Sequence, residues 1–243
     1  MFAVIFEVEP KRERWDEYLA IAKRLKPEIE RIDGFIDNER FRSRRRETRV
    51  LSLSTWRDEK ALVRWRTLGL HHEAQEKGRY EIFADYHLRV GEISADTAGA
   101  STVLPQQRLD ATEIGAAKAV TISELDPVDA QPATADLAAA LGLPQDGTSA
   151  AVEHEVFESL YNPGKLLLLA GWRDAEATAS WRPAAPPKGR LRHRQIRIIR
   201  DYGMQDRRVL SPGAVSSDGG IAQPAPPSPS DLYVRSLARL PEV

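Results

Sequence analysis

The sequence predicts an α+β fold, two tandem ferredoxin-like domains packed sheet to sheet, and three observations carry that expectation. The stretch 39–66 reappears at 155–182 without a gap. At a shift of 116 residues, Glu39/Glu155, Phe41/Phe157, Ser43/Ser159, Leu51/Leu167, Leu53/Leu169, Trp56/Trp172, Arg57/Arg173, Asp58/Asp174, Ala61/Ala177, Trp65/Trp181 and Arg66/Arg182 coincide. That is 11 identities in 28 positions, where ordinary composition yields roughly two. The first copy also runs strand, helix, strand, strand, helix, strand, the split β-α-β-β-α-β order. Finally, a four-stranded sheet with helices on one face leaves the other face bare and apolar, so two copies in one chain are expected to bury those faces together. The product is a closed or nearly closed barrel with a cavity between sheet and helices. An active surface should lie where the copies differ.

In the first copy, residues 2–8 read as a strand and 11–32 as a helix with Trp15, Tyr18, Leu19, Ala22, Leu25, Ile29 and Ile32 on one stripe. Pro27 is expected to kink that helix near its end, and Asp33-Gly34 stops it. Residues 35–41 and 50–56 are strands joined by an arginine-rich turn, Asp58 opens a second helix carrying Leu62 and Trp65, and 82–93 close the unit as a strand. The arginines Arg40, Arg42, Arg44, Arg45, Arg46 and Arg49 read as a solvated, partly Glu-paired turn, with an anion site as the alternative.

The second copy repeats the plan with strands at 119–125, 151–160, 166–172 and 193–202, an Ala-rich helix at 134–143 and a helical stub at 174–181. Pro183, Pro186 and Pro187 replace two helical turns of the first copy. Matching Leu88-Arg89-Val90 to Ile196-Arg197-Ile198 places a deletion before the last strand. The expected domains are therefore 1–93 and 118–208, with a polar linker at 94–117 and a Pro/Ser-rich tail at 209–243.

Composition narrows the function. A net charge of -1, from 35 basic and 36 acidic residues, supplies no long-range field for phosphate backbone, so no nucleic-acid partner is expected. With no cysteine, thiolate nucleophiles and sulfur-ligated metals are excluded. No apolar run approaches membrane-spanning length, and the opening residues do not read as a signal peptide, so a cytoplasmic protein without a membrane partner is expected.

Residues 35–41, the run Leu51-Ser52-Leu53-Ser54-Thr55-Trp56-Arg57-Asp58, Trp65-Arg66 followed by His72, Gly78-Arg79, and Ile82-Phe83-Ala84-Asp85-Tyr86 with Arg89-Val90 together resemble the antibiotic biosynthesis monooxygenase domain. The resemblance covers residues 1–93 well and 119–208 weakly, the latter through Trp172-Arg173-Asp174, Trp181 and 197–202. It implies ferredoxin-like domains paired as a dimeric α+β barrel, here a fused, pseudo-dimeric one whose edges are still able to recruit a homodimer partner. It also implies a monooxygenase acting with dioxygen on a small aromatic or quinol-type molecule, cofactor-free in some members and haem-degrading in others. The haem-degrading pattern needs an Asn in the first strand and a His ten residues after the helical Trp; here the first strand has no Asn and that position is Gln75.

Within that frame His72 is the first candidate for catalytic base, able to take a phenolic proton so that the electron-rich anion meets dioxygen. The plain alternative is a surface histidine paired to Glu73 or Glu76. His71 points about 100° away on a helix, so only one of the two can face a common pocket. His71 and Trp65 are the candidate haem contacts, Trp65 and Trp56 the candidate aromatic walls, and Tyr86 a candidate hydrogen-bond donor to a developing oxyanion. Trp56 and Trp65 read equally as core, because both recur in the second copy. His193, among arginines, reads as solvent-exposed. The expected function is a cofactor-independent monooxygenase. The alternatives are a non-catalytic protein binding haem or another hydrophobic ligand, and a haem-degrading enzyme.

Overall fold

The computed structural model describes residues 1–99, 112–113, 115–129, 134–144, 151–186 and 188–206. In the first half β1 (Phe2–Pro10) leads through a 3-10 turn to α1 (Trp15–Glu30), then β2 (Phe35–Ser43), β3 (Val50–Trp56), α2 (Glu59–Thr67), α3 (Gly69–Lys77), a π-helical turn at Gly78–Ile82 and β4 (Phe83–Asp96). The second half supplies β5 (Ala119–Asp126), α4 (Leu137–Ala140), β6 (Ala151–Ser159), β7 (Leu166–Trp172), α5 (Ala175–Ser180) and β8 (Arg190–Gly203). Residues 1–204 form one compact unit. The expected tail falls outside the described residues.

The eight strands close into one barrel in the order β1-β3-β2-β6-β7-β5-β8-β4. Each half contributes a four-stranded antiparallel run, and the halves join edge to edge, β2 to β6 and β4 to β8. This corrects the expectation of sheets packed sheet to sheet. The bare faces do meet, but as one continuous inner wall, because pairing both edges leaves no strand with unsatisfied backbone groups. β4 and β8, at 14 residues each, are long enough to pair with a neighbour of their own half and with each other.

Strand alternation divides the residues between the two faces of this wall. Inward lie Ala3, Ile5, Phe41, Leu51, Leu53 and Ile93, with Val120, Ile122, Phe157, Leu167, Leu169, Ile196 and Ile198 from the second half, all nearly fully buried. The interior is a packed apolar core. Of the strand identities of the repeat, Glu39/Glu155, Phe41/Phe157, Ser43/Ser159, Leu51/Leu167 and Leu53/Leu169 are inward positions, whereas Trp56/Trp172 faces the covering helices.

Two buried ion clusters flank the core, and they are copies of one another. Glu7 pairs with Arg89 and, at 2.5 Å, with Arg49. Its counterpart Glu124 pairs with Arg194 and, at 2.9 Å, with Lys165. Each half lends a carboxylate to the other: the Ser43 hydroxyl donates to Glu155, and the Ser159 hydroxyl donates to Glu39 at 2.6 Å. Burial alone would raise the Glu7 carboxyl, but Arg89 and Arg49 outweigh it and hold it below the usual carboxylate range.

Register also revises the sequence match in the last strand. Ile5 faces Arg89 on β4, and its counterpart Ile122 faces Arg194 on β8. Arg194, and not Arg197, therefore stands where Arg89 stands, so the deletion is longer than the sequence match implied.

Local signals set the helix boundaries. Asp58 accepts from the Ala61 amide at 2.8 Å and Asp174 from the Ala177 amide at 2.7 Å, the same N-cap in both copies. α1 continues through Pro27 to Glu30. The Ala-rich helix shrinks from the expected 134–143 to Leu137–Ala140 because Gly142 turns into the left-handed region at φ 67°. Among the described residues no helix is long and apolar enough to cross a membrane.

Arg194 is 1% exposed, so Glu124→Ala leaves a buried guanidinium without a carboxylate. The expected loss is about 3–5 kcal/mol in urea denaturation. Removing the exposed Lys26–Glu30 pair should cost nothing measurable by the same assay.

Candidate functional site

The outward face of the first half is sealed at both ends and open in the middle. At one end Phe2, Trp56, Ala61, Leu62 and Ile29 pack tightly, and at the other Val8, Val50, Ile82, Tyr18 and Tyr86 do the same. Between them, register lines up two rows across the strands, Val90–Val4–Ser54–Asn38 and Leu88–Phe6–Ser52–Arg40. Val4, Phe6, Leu88, Ser52, Asn38 and Arg40 all stay partly exposed although helices cover this face. Solvent-reached apolar residues midway across a covered sheet mark a hollow. From β1 to β2 is two strand spacings, about 10 Å, the scale of a small organic molecule.

Most of the same positions in the second half are filled. Thr121, Ser123, Leu168, Ala170 and His193 are buried there, while His154 is exposed and Val156 and Gln195 stay partly exposed. Trp181 stacks on Trp172 with ring centroids 5.7 Å apart and donates its indole N–H to the Gly142 carbonyl at 3.2 Å. His193 corrects the expectation of a solvent position: it is 5% exposed, meets Trp181 edge-on at 5.4 Å and shares a 2.9 Å hydrogen bond with the Ser123 hydroxyl.

The break between α2 and α3 decides which histidine turns inward. Leu68 adopts an extended conformation (φ -62°, ψ 126°), ending one helix and starting the next. His71 thereby folds back onto Trp65, stacked at 4.1 Å and 20°. Its Nδ1 lies 3.1 Å from the Trp65 carbonyl oxygen. A carbonyl only accepts, so Nδ1 carries the proton and Nε2 keeps its lone pair. Burial pushes the His71 imidazole down to about 4, so the neutral form persists well below neutral pH. His72 points the other way, 64% exposed and 3.8 Å from Glu76, which is the surface pairing that the plain reading describes.

The remaining sequence candidates occupy different depths. Trp65 is half-buried and packs, as Val4 does, against the cluster that holds Phe2, Trp56 and Leu62. Trp56 is fully buried at the opposite sealed end from Tyr86, its indole N–H donating to the Ser54 hydroxyl at 2.9 Å. Tyr86 is buried at the sealed end with its ring 5.8 Å from Phe6, bordering the hollow through that residue. Two polar residues stand on the rim: Asn38, which is absent from the sequence candidates, and Arg40, which the sequence offers only as one of six arginines in a turn with an anion site as the alternative. Asn38 donates to the Ser52 hydroxyl at 3.1 Å and to the Leu53 carbonyl at 3.0 Å. The signal for both lies in the repeat, where His154 and Val156 stand in their places.

The α+β architecture agrees with what known proteins show. The chain belongs to the antibiotic biosynthesis monooxygenase family, whose profile matches residues 1–77, and its function is of the monooxygenase type. It is 41% identical over 213 residues to the jasmonate monooxygenase ABM of Pyricularia oryzae, an alignment covering 86% of this chain and 95% of that protein. Among solved structures, aldoxime dehydratase in complex with butyraldoxime superposes with a TM-score of 0.50 at 9% identity, over 83% of this chain and 81% of that one. That likeness concerns the fold alone.

Both buried imidazoles have pKa values lowered to about 4 from an ordinary 6.5. Their contribution to stability is full above pH 6.5 and is lost as pH falls through about 4. The thermal midpoint should therefore drop across that window, and less steeply in a His71→Gln/His193→Gln variant. Equal slopes in the two proteins would disprove the assignment.

Proposed function

We propose that the protein is a small-molecule monooxygenase that holds an aromatic or quinol-type substrate in the hollow of its first half and oxidises it with dioxygen. We further read the barrel as a fused pair of ferredoxin-like units, of which only the first keeps a substrate site. The observation that carries the proposal is the paired Trp65 and His71, an aromatic wall beside an imidazole whose open Nε2 is neutral at physiological pH.

In this reading the substrate ring lies against Trp65 over Val4, Phe6 and Leu88. His71 Nε2 accepts the acidic proton of the substrate, and the carbonyl bonded to Nδ1–H steadies the imidazolium that forms. The substrate anion gives its electrons to dioxygen. One oxygen atom enters the substrate as a new carbonyl and the other leaves as water with two substrate hydrogens, so the substrate is its own reductant and no cofactor is required. The partly exposed apolar floor lowers the local dielectric and strengthens the base–substrate contact. Tyr86, behind Phe6, steadies the floor.

The test is oxygen uptake with candidate quinols in metal-free buffer, with the compound for which the Pyricularia oryzae relative is named included in the panel. His71→Ala is expected to lower kcat about 10²–10⁴-fold with the fold intact by circular dichroism. His72→Ala should stay near the parent rate. Full turnover by His71→Ala, or loss confined to His72→Ala, would remove His71 from the role.

The open Nε2 also favours a second reading, in which His71 and Trp65 hold haem or another hydrophobic ligand without turnover. A carbonyl-anchored Nδ1–H is what orients an iron-binding imidazole, so the residues fit that group. A Soret band that forms on adding haem and shifts in His71→Ala, with no oxygen uptake by any quinol, would select this reading.

A further inference from the structure

Arg40 is a half-buried cation of this face that holds no carboxylate among the described residues. Its Nε is sealed from solvent and without a hydrogen-bond partner. Its one hydrogen bond beyond the strand ladder reaches the Tyr161 hydroxyl at a long 3.4 Å. The Tyr18 hydroxyl across from it, on a residue 6% exposed, is likewise buried and unpartnered. The two groups attract one another without meeting at hydrogen-bond geometry. The more deeply buried Arg89 and Arg194 also have an unpartnered Nε, yet each carries a close carboxylate. A desolvated guanidinium beside a desolvated phenol costs stability unless something anionic completes it.

Position gives the cost a purpose. Arg40 lies on β2 in the same row as Ser52, Phe6 and Leu88, at the edge of the hollow farthest from β4. Its counterpart in the filled half is Val156, so the copy without a hollow is also the copy without the cation. We propose that Arg40 and Tyr18 form an anion subsite that receives a carboxylate on the substrate, leaving the rest of that molecule on the apolar floor. The substrate is then a small amphipathic acid with its reacting end about 10 Å from the charged one, two strand spacings along the row. A guanidinium fork binds a carboxylate through two parallel N–H bonds, and the Tyr18 hydroxyl is placed to donate a third. This inference rests on the hollow being the substrate site.

The probes are 2-naphthoate and its methyl ester, equal in ring surface and different in charge, with binding read by tryptophan fluorescence and calorimetry on the full chain. The parent protein should prefer the acid by about tenfold or more. Arg40→Met should abolish the preference while the ester binds as before, and Tyr18→Phe should lose part of it. Because Arg40 holds no carboxylate, Arg40→Met should unfold at the same temperature or higher, whereas an arginine with a structural role would lower it. Equal affinity for acid and ester in the parent, or an undiminished preference in Arg40→Met, overturns the subsite and leaves the hollow standing. If neither probe binds and no quinol is oxidised, the hollow itself fails and the subsite with it.

Discussion

The exchange of carboxylates between the halves is the constraint on which the rest of the structure depends. Glu155 from the second half accepts from Ser43 of the first, and Glu39 of the first accepts from Ser159 of the second. Each lies at the β2–β6 edge, where only three residues of each strand pair. So short a ladder is weak by itself. The Ser–Glu bonds and the Arg49 and Lys165 ion pairs beside them fix its register, because a slip of one residue would turn every one of those charges outward and every apolar neighbour with it. Net stabilisation by buried ion pairs is modest, and their contribution here is to specify one closure of the barrel.

Closure in turn separates two tasks that one sheet would otherwise combine. The inner wall is common property of both halves and tolerates little change, which is why most strand identities of the repeat fall there, Trp56/Trp172 excepted. The outer faces answer only to their own helices. In one half Leu168, Ala170, Trp181 and the Ser123–His193 pair fill the space; in the other, Ser52, Ser54 and the break at Leu68 leave it open. Two copies of one architecture thus agree along the wall they share and at the anchors of their helices, Trp56/Trp172 and Ala61/Ala177, and differ in the residues between those anchors.

Much of this was legible in the sequence. The repeat, the strand order and the Asp58 and Asp174 caps follow from periodicity and local chemistry, and the family resemblance came from the same residues. Four features were not legible. Edge-to-edge joining depends on pairing between residues 98 to 118 apart in the chain, which periodicity does not encode. The inward turn of His71 depends on the extended backbone at Leu68, which the neighbouring Gly69 permits but does not compel. The burial of His193 was masked by the arginines around it, since alternation sends Arg192 and Arg194 to the opposite face. Arg40 was hidden in the same way, as one arginine in a run whose other members cap or pair at the turn, Arg44 onto the Thr134 and Ala135 carbonyls and Arg46 onto Glu9 and Glu155.

A filled barrel interior also sets the direction in which a family of such proteins can diversify. Room for a bulkier or differently shaped molecule cannot be hollowed out of the strands without unseating both halves at once. It has to come from the covering layer, through α1, α2 and α3 and the joints between them. Specificity in this architecture is therefore a property of the roof, and variation confined to those helices can retune it while the walls stay as they are.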